Sequence, residues 1–469
     1  MKMKTTTRLL TLGALVLATA CGDKGPGDEE VGNESGISAT QEGGTSNSEA
    51  EAGESAGESA GESAGTGTDT NTTNTTNTTA NDTSTTAGND ENADGNPDTK
   101  WDLGGIPDSA MNCQDFGGDG QFSYLWAANS GQGTISKIDT QTVTEIGRYI
   151  VRPDSAGSPS RTSVSLSGNV AVANRSGGVA KIYARVEDCE DTNGMPGIQT
   201  SNNNQFLPWG TEECLAWYTP FAYASQRPVA WGLGEFNQGT CNYENEELWT
   251  SGNNQNGHID IMVLDGDDGT VTEMIQVPTG GNSLQSDFYG IYGAAVDGDG
   301  NMWGSQLGSS GRLIKVQRSD MSYTVYDPPD GPHYYGMTVD SEGFVWLCSA
   351  TAARFDPMTE TWTSAQAGGY TGCMADADEN GLLWMSAGGQ GIVGVNRDTL
   401  AVEKNCPAGG PSYGISIDYE GYVWGVTGAT ATKWDPETCQ SWQYAGLTGA
   451  YTYSDMTGYA LSNAGTPSG

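Results

Sequence analysis

Four copies of one spaced pattern, Asp-x-x-Gly-x-x-Trp, limit what this chain can fold into more than any other feature. They are Asp297-Gly300-Trp303, Asp340-Gly343-Trp346, Asp378-Gly381-Trp384 and Asp418-Gly421-Trp424, with Trp-to-Trp distances of 43, 38 and 40 residues. Three copies follow a Tyr-Gly-led β run: Tyr292 to Val296, Tyr335 to Val339 and Tyr413 to Ile417. In the other, Gly372 to Asp376 leads into a turn longer by two residues. After each Trp come a polar turn and a further alternating pair, closed by an Asp-Pro turn and a last strand, as in Thr430 to Pro436 and Ser441 to Tyr444. The unit therefore predicts four short antiparallel strands, the size of a propeller blade.

Weaker copies lie upstream. Thr162 to Leu166 with Gly168 fits the template with Ala171 in the Trp slot; Leu125-Trp126-Ala127 and Leu248-Trp249-Thr250 fit two more. The slots are then 126, 171, 249, 303, 346, 384 and 424, which gives seven units. The unit around Trp126 lacks an upstream first strand, and Tyr451 to Asp455, with Gly458 at the turn spacing, supplies a candidate. A C-terminal strand completing the first blade leaves no sheet edge open for pairing. The expected fold is all-β, a seven-bladed β-propeller of four-stranded blades, over residues 99–469. An insertion at about 187–245, carrying Trp209, Trp217, Phe221, Tyr223 and three Cys, is expected to form a disulfide-braced flap over one face of the ring.

Within the repeat, each Asp is expected to cap its turn through backbone N–H groups, each Gly to take positive φ, and each Trp to fill the wedge between blades. Asp376-x-Asp378-x-Asn380-Gly381 matches the first half of a calcium loop, but its twelfth position is Ala387, and Asp265 to Gly269 is also incomplete. No metal or cofactor is assigned.

The beginning of the chain is of another kind. Lys2, Lys4 and Arg8 precede an apolar stretch, Leu9 to Ala18, too short to span a bilayer as a mature helix. It runs through Ala18-Thr19-Ala20 into Cys21, and residues 1–20 resemble a bacterial lipoprotein signal with Cys21 as the lipidated residue. The alternative is ordinary cleavage after Ala20. Residues 21–98 are expected to be a disordered tether: 22–99 hold 17 acidic residues against one Lys and almost no aliphatic side chain. With 59 Asp+Glu against 20 Lys+Arg, the net charge of -39 excludes a general affinity for nucleic acid or anionic lipid headgroups. Eight further Cys without a C-x-x-C spacing favour disulfides in an exported protein, with Cys189–Cys214 the one pair guessed. The expected location is the cell envelope, lipid-anchored at the outer membrane or cell surface.

The tandem unit, as in Gly414-Ile415 to Gly421 and Trp424, resembles the repeat of the streptogramin B (virginiamycin B) lyase family of seven-bladed propellers. The resemblance covers most of 120–461, with strong motifs over 289–440. It implies Mg²⁺-dependent elimination resting on a His before the Gly of the first strand and Glu residues three positions after the Trp. Here the first slot holds Tyr292, Tyr335, Thr371 or Tyr413; the second holds Asn129, Asn174, Gly252, Gln306, Ser349, Ala387 and Thr427. His333 lies two residues before Tyr335, outside the family position, and His258 sits in a polar turn. A neutral-pKa base and a cation for the developing enolate are thus missing where the fold would place them. No catalytic residue is assigned. Tyr292, Tyr335 and Tyr413, with His333, Asn129, Asn174 and Gln306, are expected to ring the channel mouth. There they would offer flat faces and neutral polar groups to an envelope glycan, peptide or protein. The alternative is that these tyrosines only pack against each other.

Overall fold

A computed structural model describes residues 122–465, apart from 241, 309, 330–333 and 379–380. The signal segment 1–20, Cys21 and the tether lie outside the described residues. Seven antiparallel sheets follow one another around a ring. Counted from the channel outward, blade 2 is Pro159–Val164, Val170–Asn174, Val179–Ile182 and Leu215–Thr219. Blade 3 is Ser225–Trp231, Glu247–Asn253, His258–Asp265 and Val271–Pro278. Blades 4 and 5 open with Gly293–Val296 and Gly336–Val339, blades 6 and 7 with Gly369–Ala375 and Gly414–Ile417. The inner strands are buried because each is covered by its two neighbours. The outermost strands, such as Thr361–Gln366, alternate between exposed and half-buried residues.

Blade 1 closes the ring. Its regular strands are Tyr124–Asn129, Thr134–Asp139 and Thr144–Ile150. The fourth place is taken by the C-terminal segment: Tyr451 N–H donates to Ala128 O (3.0 Å), Trp126 N–H to Met456 O (2.8 Å), and Ala450 bridges Asn129. The contact expected between the chain's C-terminal Tyr/Asp segment and the Trp126 strand is therefore present, without regular strand geometry along its whole length.

Every Trp slot lies on a second strand, and five of its Trp residues (126, 249, 303, 346, 424) are at most 1% exposed. Each such side chain removes enough apolar area to stabilise by roughly 4–6 kcal/mol. The repeat's Asp does more than cap. In blade 7, Asp418 Oδ1 accepts the N–H groups of Glu420 (3.1 Å) and Tyr422 (2.8 Å), while Oδ2 accepts the Trp424 indole N–H (2.7 Å). Asp297–Trp303 (2.9 Å) and Asp340–Trp346 (2.7 Å) repeat that bond. In blade 1 the chain after Gly458 turns into a short helix, Tyr459–Ser462, instead of into the Trp126 strand, and the Trp126 indole N–H has no hydrogen-bond partner. In blade 2, the volume missing at Ala171 is made up by buried Trp217 and Trp231, which belong to the same core cluster.

The segment 187–245 is not one flap. It contains the outer strand of blade 2 and the inner strand of blade 3, so its aromatics Trp217 and Trp231 belong to blades. Two excursions remain. Residues 186–214 leave blade 2 before its last strand and are clipped by the Cys189–Cys214 disulfide. A hairpin, Glu235–Asn237 with Asn242–Glu244, rises between the first two strands of blade 3. Cys348–Cys373 ties blade 5 to blade 6, and Cys406–Cys439 ties blade 6 to blade 7.

Candidate binding site at the mouth of the ring

The Tyr-Gly pairs of the repeat are positioned by their glycines. A Cβ on Gly336 would lie 2.6 Å from the Thr371 carbonyl, and one on Gly372 2.5 Å from that of Tyr413. One on Gly414 would overlap the carbonyl of Thr452. Glycine thus lets each inner strand approach the next, and the residue before it is delivered to the same end of the channel. Tyr292, Tyr335 and Tyr413 do meet there, and Tyr451 and Tyr453 of the closing segment join them, their own ring centroids 4.4 Å apart. Ring centroids stand 5.0 Å apart for Tyr292–Tyr335, 4.5 Å for Tyr335–Tyr453 and 5.6 Å for Tyr413–Tyr451. Tyr292 O–H donates to the Tyr335 hydroxyl (2.7 Å), as does Tyr453 O–H (3.0 Å), and the hydroxyls of Tyr292 and Tyr451 are 2.8 Å apart. The tyrosines therefore pack against one another, yet four (289, 335, 413, 451) stay half-exposed, with Phe288 and Tyr370 exposed.

Under these rings lie three arginines that carry no sequence motif. The Arg161 guanidinium is 4.6 Å from the centroids of both Tyr292 and Tyr453. Arg175 stands 4.1 Å from the Tyr451 centroid, and Arg227 4.7 Å from that of Tyr289. Burial lowers the proton affinity of Arg161 and, in the same place, pushes the Tyr453 hydroxyl well above its usual value. The guanidinium stays charged, because arginine does not give up its proton in proteins.

The other expected mouth residues have different work. Asn129 is fully buried: Nδ2 donates to Ser136 Oγ (2.7 Å), and Oδ1 accepts the Thr448 N–H (2.9 Å). Asn174 Nδ2 donates to the carbonyls of Val151 and Gly178, both at 3.2 Å. Gln306 holds both backbone groups of Gln285, at 2.7 and 2.9 Å. Each pins the segment that carries the chain to the inner strand of its own blade. They turn inward and do not form part of the mouth surface. His333 lies outside the described residues.

Two cavities complete the picture. Further along the channel, a cavity of about 30 Å³ is lined by Val229, Ala295, Met337 and Leu461 among others. Away from the mouth, beneath the 186–214 excursion, a cavity of about 330 Å³ is lined by Tyr124, Tyr183, Thr200 and Lys137 among others. Burial pushes the Lys137 amine down to about 8.

Fold and site define a seven-bladed β-propeller with an aromatic mouth underlain by three arginines. No protein-family model matches the sequence, and no curated protein matches it. Among solved structures, the dihydro-heme d1 dehydrogenase NirN is 11% identical with a TM-score of 0.45, covering 69% of this chain and 64% of its own. The chain thus spans less than two thirds of that protein. AztD of Citrobacter koseri is 10% identical (TM-score 0.43, covering 71% of this chain and 96% of its own). The WD40 propeller domain of Doa1 is 11% identical (TM-score 0.39, covering 61% of this chain and 81% of its own).

Proposed function

We propose that this protein is a cell-envelope lipoprotein, anchored through Cys21 and an acidic tether, whose propeller binds a ligand or partner at the tyrosine mouth without transforming it. The convergence of tyrosines from four blades, several with a face still open, carries this reading. Such rings offer an apolar face and a polar tip, which suits envelope glycans and peptides. Among the described residues, three disulfides indicate an oxidising, non-cytoplasmic compartment, and no helix is long and apolar enough to cross a membrane. The anchor and the outer-membrane or surface location rest on the sequence around Cys21. Kinship with the streptogramin B lyase-like propellers rests on the repeat; its His and Glu slots are filled by other residues, so elimination chemistry is not part of the proposal.

The test is a glycan and peptide array probed with the native chain and with a Tyr335→Ala/Tyr413→Ala variant. Loss of the bound set in the variant supports the mouth. Unchanged binding overturns it. Incorporation of labelled palmitate, abolished by Cys21→Ser, tests the anchor.

A further inference from the structure

Between its third and fourth strands, blade 2 leaves the pattern of the ring. The other blades make that connection by a short turn, residues 435–440 in blade 7 and 357–360 in blade 5, whereas blade 2 uses 183–214. The added chain is held rigidly. The Glu213 carboxylate accepts the N–H groups of Thr192 (2.7 Å), Asn193 (2.8 Å) and Gln199 (2.8 Å), and that of Glu212 those of Ser201 and Cys214, both at 3.0 Å. Arg148 N–H of blade 1 donates to Ser201 Oγ (3.0 Å), and Cys189–Cys214 clips the base. Yet this roof does not settle onto blade 1. It leaves a cavity of about 330 Å³, within the range of small-molecule pockets, about 300–1,000 Å³. Protein interiors ordinarily close such voids, and a roof fixed by satisfied hydrogen bonds and a disulfide keeps this one open. Tyr124, Tyr149, Tyr183 and Ile146 line it with Lys137, and exposed Val186 stands at its rim.

Lys137 lacks what its counterparts in blades 4 and 7 hold. Lys433 stands 3.9 Å from the Tyr422 centroid and 5.7 Å from that of Trp424, with Asp418 Oδ2 at 3.5 Å; Lys315 has Asp297 Oδ2 at 3.4 Å. In blade 1 the ring distances recur, 3.8 Å to Tyr124 and 5.7 Å to Trp126, but no carboxylate among the described residues pairs with the amine. Lys181 lacks one as well, and of the two only Lys137 lines this cavity. Lys137 is 7% exposed; Nζ donates to the Ala184 carbonyl, and its other two N–H groups have no acceptor among the described residues. The acidic groups it feels are Glu187, exposed at the rim, and Asp139, whose Oδ1 holds the Thr142 N–H (2.7 Å). Arg185, the other cation of the lining, is held by Asp188 through two bonds of 2.8 Å. Burial without a paired anion disfavours the charged amine, and an anion inside the cavity would relieve it.

We infer that the cavity under the 186–214 excursion binds a planar aromatic carboxylate, its ring among the three tyrosines and its acid group on the Lys137 amine. This is a second site, independent of the mouth. Calorimetric titration of the full chain with 2-naphthoate and with its neutral amide, 2-naphthamide, tests it. The acid is expected to bind and the amide to bind at least about tenfold more weakly. Lys137→Met should weaken the acid by at least about tenfold. Should that variant fail to fold, Val186→Trp, a change at an exposed rim position, should block the acid with an unchanged circular dichroism spectrum. Cys189→Ser/Cys214→Ser, which frees the roof, should weaken it several-fold. Tyr335→Ala/Tyr413→Ala should bind it as the native chain does. Equal affinity for acid and amide, or an acid affinity untouched by Lys137→Met, overturns the role given to the amine. Absence of binding by either probe, binding that Val186→Trp leaves unchanged, or binding lost with the mouth tyrosines overturns the site.

Discussion

Lys433 Nζ donates a 2.8 Å hydrogen bond to the carbonyl of Thr140, 293 residues earlier, and so joins the last blade to the first. The same device recurs around the ring. A cation stands opposite the Trp slot in five blades: Lys137 by Trp126, Lys181 by Ala171, Lys315 by Trp303, Arg354 by Trp346 and Lys433 by Trp424. Four of them reach a carbonyl in the next blade: Lys137 to Ala184, Lys181 to Gly266, Arg354 to Arg397 and Lys433 to Thr140. Lys433 also lies 3.5 Å from Asp418 Oδ2, the oxygen that holds the Trp424 indole.

Removing that cation leaves a buried carboxylate and a blade-to-blade carbonyl without their donor. Lys433→Met should therefore cost about 2–4 kcal/mol in urea unfolding. Lys404→Met removes an exposed bond to the Glu437 carbonyl and should stay within about 0.5 kcal/mol. Similar small losses in both variants would show that the latch does not hold the ring.

Asp418 sets a pH dependence. Burial lifts its carboxyl from 3.8 to about 6, against the opposing pull of Lys433. The folded chain keeps a proton that the unfolded chain has released, so this group's contribution is full below about pH 4 and is lost as pH rises through about 6. Asp418→Asn keeps an acceptor oxygen for the indole and removes the titration. The wild-type stability minus that of the variant should fall between pH 4 and 6.5; a flat difference would contradict the lifted carboxyl.

Lys137 acts in the other direction and at higher pH. Its folded value of about 8 lies below the usual 10.5, so the unfolded chain binds the extra proton between the two. Stability from this group rises as pH climbs from about 8 towards about 10.5. Lys137→Met should remove that rise, measured as the difference between the two urea midpoints.

The three disulfides among the described residues close loops with sequence separations of 25, 25 and 33 residues. Loop-closure entropy assigns about 3.5 kcal/mol to each. Reduction should lower the urea midpoint markedly. Cys189→Ser/Cys214→Ser should loosen only the 186–214 excursion, with faster amide exchange there and unchanged exchange in blades 4 to 7. Exchange that rises evenly across all blades would contradict so local a role.

The ring was legible because its cause is local. Asp, Gly and Trp at fixed spacing specify a turn and the wedge behind it, so even Ala171 could be counted as a slot. Tyr292, Tyr335 and Tyr413 could be grouped because each precedes a glycine that fixes the approach of the next inner strand. Arg161 and Arg227 were hidden: a cation in the middle of a β run has no motif, and its partners are rings from other blades. Asn129, Asn174 and Gln306 looked like surface polar groups, but the backbone they serve arrives from elsewhere in the chain. The inner strand of blade 3 escaped notice because Pro228 interrupts it. Proline is tolerated there since an innermost strand is a sheet edge.

The most direct measurement is amide hydrogen exchange on the full chain with and without a saturating glycan or peptide selected on the array. The account predicts protection confined to the segments entering the inner strands, around Tyr289 to Tyr292, Tyr335, Tyr413 and Tyr451 to Tyr453. Protection at the outer strands, or at the cavity under the 186–214 excursion with the mouth unchanged, would contradict it.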